Sequence, residues 1–436
     1  MYLYDKVNKR NLLGEYAGLF KTSQFDLPLI NEYQQRHLKS IIDYAVRCVP
    51  YFRNIDKEYH LNNDESPLEF LARLPILTKD IIRSDFGNFL SEEFKNNKNL
   101  SFYYTGGSTG QPSKIAVDKD YLDFRWAMVH YNLSWVGYTL GDCYGFIYGS
   151  NLDAKGDSSF RQKLQQWMMN YFQVNAFCLN EDNMEKFART CLKRKPKFLV
   201  GYASALVAFA KYAERKGLPI HPRFVESTAE YLSPEARQEI ERVFACKVYD
   251  RYGSREVGNV AHECVERNGF HIDWQSVCVE IINKGKYPFL DNDYGDIVIT
   301  SLKIKGMPLI RYVTGDIGKI DYSPCRCGMA SPRLFLGGAR VLDILYTTGG
   351  DMISPSPLSL TTRELYSIKK IQYVQESPHS LKVNVVTDHE DDTHISATLG
   401  ARLKKIFGEG MEIQFHFVDE IEREQSGKYR LTKRLF

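Results

Sequence analysis

The sequence predicts an α/β protein: a large N-terminal multilayer α/β domain with an associated β-rich subdomain, followed by a small C-terminal α/β domain. Between Tyr144 and Lys216, short apolar or aromatic runs alternate with helical patterns, the rhythm of layered α/β units with largely parallel strands. At 436 residues the chain exceeds what one compact core serves, so two or three domains are expected. A second set of strand patterns, near Leu381–Val386 and Ile413–Phe417, follows a glycine break at Gly337 and Gly338.

Each element has its own signal. From Leu27 to Val49 the residues Ile30, Tyr33, Leu38, Ile41, Ile42, Ala45 and Val49 recur at spacings near three and four, an amphipathic helix that Pro50 ends. Thr78 is an N-cap for a helix opening Lys79-Asp80-Ile81-Ile82. Two short β-rich segments, Ser101–Tyr104 and Ile115–Val117, flank a Gly-rich loop. Asp118 or Asp120 caps a helix whose Tyr121, Phe124, Met128, Tyr131 and Trp135 share one face, a stripe read as core. A strand at Tyr144–Tyr148, helices over Phe160–Tyr171 and Asn183–Lys193, a strand at Phe198–Val200 and a helix over Ala203–Lys216 follow. The run from Val248 to Tyr252 reads as a strand, with Gly253 as a turn that presents Glu256. Thr347–Pro355 reads as a turn and a strand.

Composition excludes several classes. Hydrophobic and charged fractions of 43% and 25% are those of an ordinary globular protein. The net charge of +3 gives no basis for a nucleic-acid or anionic-membrane partner. No apolar signal region opens the sequence and no run is long enough to span a bilayer, so a cytoplasmic location without membrane insertion is expected. Nine cysteines, an odd number, do not make a secreted disulfide framework; most are expected as reduced thiols. Cys325-Arg326-Cys327, in a Pro/Gly-rich loop, stands apart. Cys264 and His271 are the best candidates to complete a tetrahedral zinc site with this pair, with His262 and Cys278 as alternative ligands. Four protein ligands leave no open position, so such a site is structural.

The stretch from Tyr104 to Lys114 carries the chemistry. Thr105, Gly106, Gly107, Ser108, Thr109 and Gly110 lead to Lys114: glycines that let backbone amides approach an anion, hydroxyl donors, and a cationic end. The order fits neither a Walker loop nor a dinucleotide fingerprint. Two strand ends, Tyr148-Gly149-Ser150 and Tyr202-Ala203, are candidates to line a ligand pocket, because open α/β sheets bind ligands there.

The order Ser108-Thr109-Gly110-Gln111-Pro112-Ser113-Lys114 resembles the phosphate loop of the adenylate-forming superfamily: acyl-CoA synthetases, nonribosomal adenylation domains and luciferases. Val49–Arg53 and Leu74–Asp80 resemble the entry region of phenylacetate-CoA ligases and CapK proteins of capsule gene clusters. Tyr252-Gly253-Ser254-Arg255-Glu256 and Tyr312-Val313-Thr314-Gly315-Asp316 are further ordered matches, and Phe198–Ser204 resembles a Gly-Tyr-Pro-Ser segment with Ala203 replacing proline. Gly337-Gly338-Ala339-Arg340-Val341-Leu342-Asp343 resembles the interdomain hinge, which implies a division into 1–340 and 341–436. There Ala339 and Leu342 depart from the pattern, while Arg340 and Asp343 keep it.

The resemblance implies ATP as substrate, the loop on its phosphates, Tyr252 beside adenine, Asp316 on the ribose hydroxyls, Arg340 at the nucleotide, and Glu256 holding Mg²⁺. It implies a catalytic Lys428, in Gly427-Lys428, carried by a mobile C-terminal lid that turns about Asp343. It also implies a small carboxylic acid as substrate and CoA as the most direct acceptor. A carrier protein or amino sugar is the alternative acceptor, an inactive nucleotide-binding relative is a third reading, and homodimerisation is left open.

Overall fold

The computed structural model describes residues 2–59, 66–95, 100–105, 113–149, 160–176, 178–359, 361–362, 365, 367–387, 392–422 and 430–436. β1 (Leu100–Thr105) and β2 (Ser113–Asp118) form an antiparallel hairpin that pairs Tyr104 with Lys114. Asp118, not Asp120, caps the helix Lys119–Trp135, its side chain accepting from the Tyr121 amide at 2.9 Å. The predicted aromatic stripe packs as core: Tyr121, Phe124, Met128 and Tyr131 bury against Leu19 and Ile304. The opposite side of the same helix buries Val129 and Leu133 against the main sheet. A helix apolar on two sides is buried between two layers, and this one is.

Among the described residues the main sheet has eleven strands. Its parallel half contains β3 (Tyr144–Ile147), β4 (Tyr171–Val174), β5 (Phe198–Gly201), β6 (Phe224–Thr228) and β7 (Lys247–Ser254) in the order β4-β3-β5-β6-β7. The helices Glu181–Arg194, Ala203–Arg215 and Pro234–Phe244 cover one face through a core including Phe187, Phe209, Val225 and Phe244. Across the other face the rings of Tyr144, Phe198 and Phe224 stack with centroids 4.9 Å apart at each step. One predicted helix is corrected. The pattern Phe160–Tyr171 ends as a helix at Met168, Asn170 turns the chain at φ +56°, and Tyr171 opens β4. Asparagine tolerates that left-handed conformation, which closes helices.

Beyond β7 the sheet runs antiparallel through β8 (Gly258–Glu263), β9 (Phe270–Ile272), β10 (Val277–Ile282), β11 (Gly295–Ser301), β12 (Tyr312–Asp321) and β13 (Arg333–Arg340). The expectation of largely parallel strands therefore holds only up to β7. Adjacent antiparallel strands need only short turns, so this half lacks the intervening helices that alternation detects. Gly253 is likewise not a turn: it lies within β7, where a Cβ would come within 2.5 Å of the Gly258 carbonyl oxygen. The turn is Arg255–Val257, closed by the Val257 amide donating to Ser254 Oγ at 3.3 Å.

A small hairpin, β14 (Leu345–Tyr346) and β15 (Met352–Ile353), leads to a second, four-stranded sheet. Its strands are β16 (Ile368–Ser377), β17 (Ser380–Thr387), β18 (Glu412–Phe417) and β19 (Thr432–Arg434), ordered β18-β17-β16-β19. The helix Asp392–Phe407 covers it, and among the described residues its core, with Tyr373, Val383, Leu399 and Phe407, draws on residues from Leu345 onward. No helix among the described residues is long and apolar enough to cross a membrane.

Candidate active site

The C-terminal ends of β3, β5, β6 and β7 open into a cleft of about 1780 Å³ that residues of β12, β13 and the C-terminal segment also line. Open α/β sheets bind ligands at such strand ends. Volume of this order exceeds the usual few hundred to a thousand cubic ångströms of a single-ligand pocket and suits two ligands.

One wall is a hydrogen-bonded chain. Asp316 lies in β12 opposite Arg340 of β13, just after Gly315, whose φ of +80° only glycine adopts without strain. The Tyr252 hydroxyl donates to Asp316 Oδ2 at 2.7 Å, and Arg340 Nε stands 2.9 Å from Asp316 Oδ1. Burial, and then the Asp316 charge, hold the Tyr252 phenol well above its ordinary range. Asp316 in turn raises Arg340. Three separately read motifs thus meet at one carboxylate.

Glu256 forms a second anchor. Its side chain is almost wholly buried, yet its Oε1 lies 3.1 Å from Lys79 Nζ and accepts from the Tyr312 hydroxyl at 3.2 Å. Burial alone would raise this carboxyl, but the Lys79 charge and local hydrogen bonds outweigh it and leave it below the usual carboxylate range. Lys79 was legible only as the residue after a cap. Thr78 does accept from the Ile81 amide, at 3.3 Å. What brings Lys79 to the site is pairing between distant segments: Leu77 donates to the Arg311 carbonyl at 2.8 Å, and Val313 donates to the Leu77 carbonyl at 3.0 Å. Arg311 Nη1 clamps the same segment through the carbonyls of Ala72 and Leu74, at 2.7 and 2.6 Å.

The expected ligand-pocket residues come together. The Tyr148 and Tyr202 rings lie 4.4 Å apart, the Tyr202 hydroxyl donates to the Gly149 carbonyl at 2.9 Å, and Ala203 lines the same cleft. Of the phosphate loop, Thr105 closes β1 and Ser113 opens β2 on the cleft. Lys114 stands over the rings of Phe102 and Phe86, at 4.1 and 5.0 Å. Gly106, Gly107, Ser108, Thr109 and Gly110 lie outside the described residues, as do Ser150 and Lys428. Two residues past Lys428, Arg430 binds the expected hinge: its Nε donates to Asp343 Oδ1 at 2.8 Å, and Thr432 Oγ1 donates to the Asp343 carbonyl at 2.8 Å.

Away from the cleft, the ligand atoms of Cys264, His271, Cys325 and Cys327 all lie within 4.8 Å of one another. His271 Nδ1 faces the Ser331 carbonyl at 3.0 Å, so an N–H there turns the Nε2 lone pair toward Cys327 Sγ, 3.3 Å away. Metal-binding histidines are oriented by such a partner. The alternatives are not part of this group. His262 Nε2 faces Glu226, and Cys278 is buried in a core with Leu38 and Phe52.

The family model described as the CapK C-terminal domain matches residues 345–435. Protein CapK of Staphylococcus aureus is 22% identical over 414 residues, covering 92% of this chain and 88% of its own. The phenylacetate-coenzyme A ligase of Thermus thermophilus is 26% identical over 330 residues, covering 72% and 71%. Among solved structures, 2-hydroxyisobutyryl-CoA ligase in its postadenylation state superimposes with a TM-score of 0.70 at 16% identity, over 95% of this chain and 91% of that one. The same ligase in its thioesterification state scores 0.61 at 17% identity, over 94% and 91%. These relatives and structural neighbours fall within the adenylate-forming superfamily, to which this chain is similar in fold and over most of its sequence. Its relatives in sequence include CapK and phenylacetate-CoA ligases.

Proposed function

We propose that this protein is an AMP-forming ligase: it activates a carboxylic acid with ATP, releasing pyrophosphate, and passes the acyl group from the acyl-adenylate to the thiol of CoA. The observation that carries the reading is the convergence of Tyr252, Asp316 and Arg340 on one wall of a cleft that Glu256 and the strand-end tyrosines also line. Such chemistry depends on positioning and charge neutralisation more than on covalent participation. In this reading Asp316 accepts from the ribose hydroxyls, Tyr252 flanks the base, the Thr105–Lys114 loop holds the phosphates, and Tyr148, Gly149, Tyr202 and Ala203 border the acid.

The buried, ionised Glu256 fits a hard cation that takes carboxylate oxygens. Mg²⁺ there would neutralise phosphate charge, with Lys79 as the cation that occupies the carboxylate otherwise. The domain boundary falls at 340/341, and Lys428 approaches the acid's carboxylate when the C-terminal domain turns about Asp343. The better superposition on a postadenylation structure supports reading the present arrangement as that of the first half-reaction. Cys264, His271, Cys325 and Cys327 form a structural zinc site, the donor set and Ser331 partner being those such a site requires.

The test is acid-dependent exchange of pyrophosphate into ATP across a panel of carboxylic acids, with Lys428→Ala as the control. Exchange that this change leaves intact removes Lys428 from the mechanism. Absence of exchange with every acid removes the activity. The match of residues 345–435 to the CapK C-terminal domain favours a second reading of the acceptor, a carrier protein or amino sugar in place of CoA. AMP release with each acceptor separates the two.

A further inference from the structure

Sheet register sets Phe146, Val200, Glu226 and Tyr249 side by side across β3, β5, β6 and β7. The row before it holds Tyr144, Phe198 and Phe224. Glu226 is thus a carboxylate set into an aromatic and aliphatic stripe, and it is 1% exposed. Beside it, Arg251 Nε lies 3.2 Å and His262 Nε2 3.3 Å from Glu226 Oε1. The facing helix Lys119–Trp135 contributes His130, also 1% exposed, whose ring stacks on Tyr138 with centroids 5.3 Å apart. Among the described residues, neither ring nitrogen of His130 has a hydrogen-bond partner, nor does Asn259 Nδ2. Glu226, Arg251, Asn259 and His130 all line the cleft described above, with Glu226 two β6 residues, roughly 7 Å, below the strand end at Thr228.

Polar groups in an apolar stripe are retained at a cost unless something pairs with them. Here the ionic part is balanced internally. Burial would raise Glu226, yet Arg251 and then His262 hold it below its ordinary value, so it stays a carboxylate. Burial lowers His130 to about 4, which makes it a neutral imidazole with one donor and one acceptor nitrogen. The groups left to be matched are therefore an imidazole that both gives and takes, and an amide N–H. Glu226 and Arg251 neutralise each other, so the floor offers no net charge to hold an ammonium group or an ionised carboxylate. An alkyl or plain aryl terminus would leave the nitrogens unpaired. A hydroxyl, donor and acceptor in one neutral group, fits them.

We propose that this polar floor recognises a hydroxyl on the acid, remote from its carboxyl group, so that the substrate class is a hydroxylated carboxylic acid; the inference rests on the acid-activation reading above. It is tested with matched acids in ATP–pyrophosphate exchange: para-hydroxyphenylacetate against phenylacetate, and terminally hydroxylated against unsubstituted straight-chain acids. The hydroxylated member of a pair is expected to be favoured in kcat/KM by about 10²-fold or more, as for sites built to hydrogen-bond a substrate hydroxyl. Asn259→Leu, and separately His130→Phe, are expected to bring that ratio toward one while leaving the Kd for ATP in place. ATP titration and thermal unfolding verify that each variant is folded, and the wild-type comparison stands even where one is not. Equal or faster exchange with the unhydroxylated acids, or a preference that survives in both folded variants, overturns the inference and leaves the adenylation reading standing. No exchange with any acid, hydroxylated or not, overturns the adenylation reading and the inference with it.

Discussion

Replacing Asp316 with asparagine isolates the nucleotide reading from every other part of it. The side chain is 15% exposed, receives the Tyr252 hydroxyl at 2.7 Å, and faces Arg340 at 2.9 Å. Asparagine keeps the shape but removes the charge and turns one acceptor oxygen into a donor. A hydrogen bond to a charged group is worth about 1.5–3 kcal/mol. At about 1.4 kcal/mol per tenfold, its loss lowers nucleotide affinity by about 10- to 150-fold. The effect on stability is smaller: Arg340 is half exposed, so that pair contributes about 1 kcal/mol or less, and Tyr252 keeps a weaker acceptor. Calorimetric titration with ATP and with its dideoxy analogue, which lacks both ribose hydroxyls, provides the readout. The wild type is expected to prefer ATP strongly, and Asp316→Asn to bind the two alike. Equal weakening of both ligands by the substitution, or unchanged ATP affinity, would falsify the ribose assignment.

Further outcomes follow from other parts of the structure. Purified protein is expected to carry about one zinc per chain, and Cys327→Ser to lose it with a fall in Tm; metal analysis that finds none in the wild type refutes the site. Arg430→Ala breaks a largely buried pair with Asp343 beside the segment that carries Lys428. It is expected to slow pyrophosphate exchange by about ten- to a hundredfold, the equivalent of a lost charge-assisted bond, with ATP affinity unchanged. Unaltered exchange refutes that role. Burial, with Glu263 nearby, raises Asp250 to about 8. Because the unfolded carboxyl ionises near 4, ionisation favours the unfolded chain increasingly from about pH 4 to 8. Asp250→Asn is therefore expected to gain Tm relative to the wild type as pH rises from 5 to 8, and a difference independent of pH contradicts the shift.

The parts legible from sequence were those encoded in contiguous residues. Periodicity located the helix at Leu27–Cys48, the strands β5 and β17, and the aromatic stripe on Lys119–Trp135, because each depends on neighbours within a few turns or pleats. Motif order located Tyr252, Glu256 and Asp316, since such loops are built from local backbone geometry. The cysteine pair was likewise visible, although its partners had to be chosen among alternatives.

Tertiary structure decided what depends on contacts between distant segments. The strand pairing that turns half of the sheet antiparallel leaves no periodic trace, and β4 hid behind a helical pattern until Asn170 broke it. Lys79 reaches Glu256 only because Leu77 pairs with the backbone around Tyr312. Nothing local marks Glu226 or His130 as polar floor residues: one sits in a strand pattern and the other on a helix face. Packing of the helix Lys119–Trp135 over the sheet brings them into a common cleft. Residue types and local periodicity determined the chemistry on offer, while burial and register, properties of pairs far apart in the chain, determined which of those groups meet.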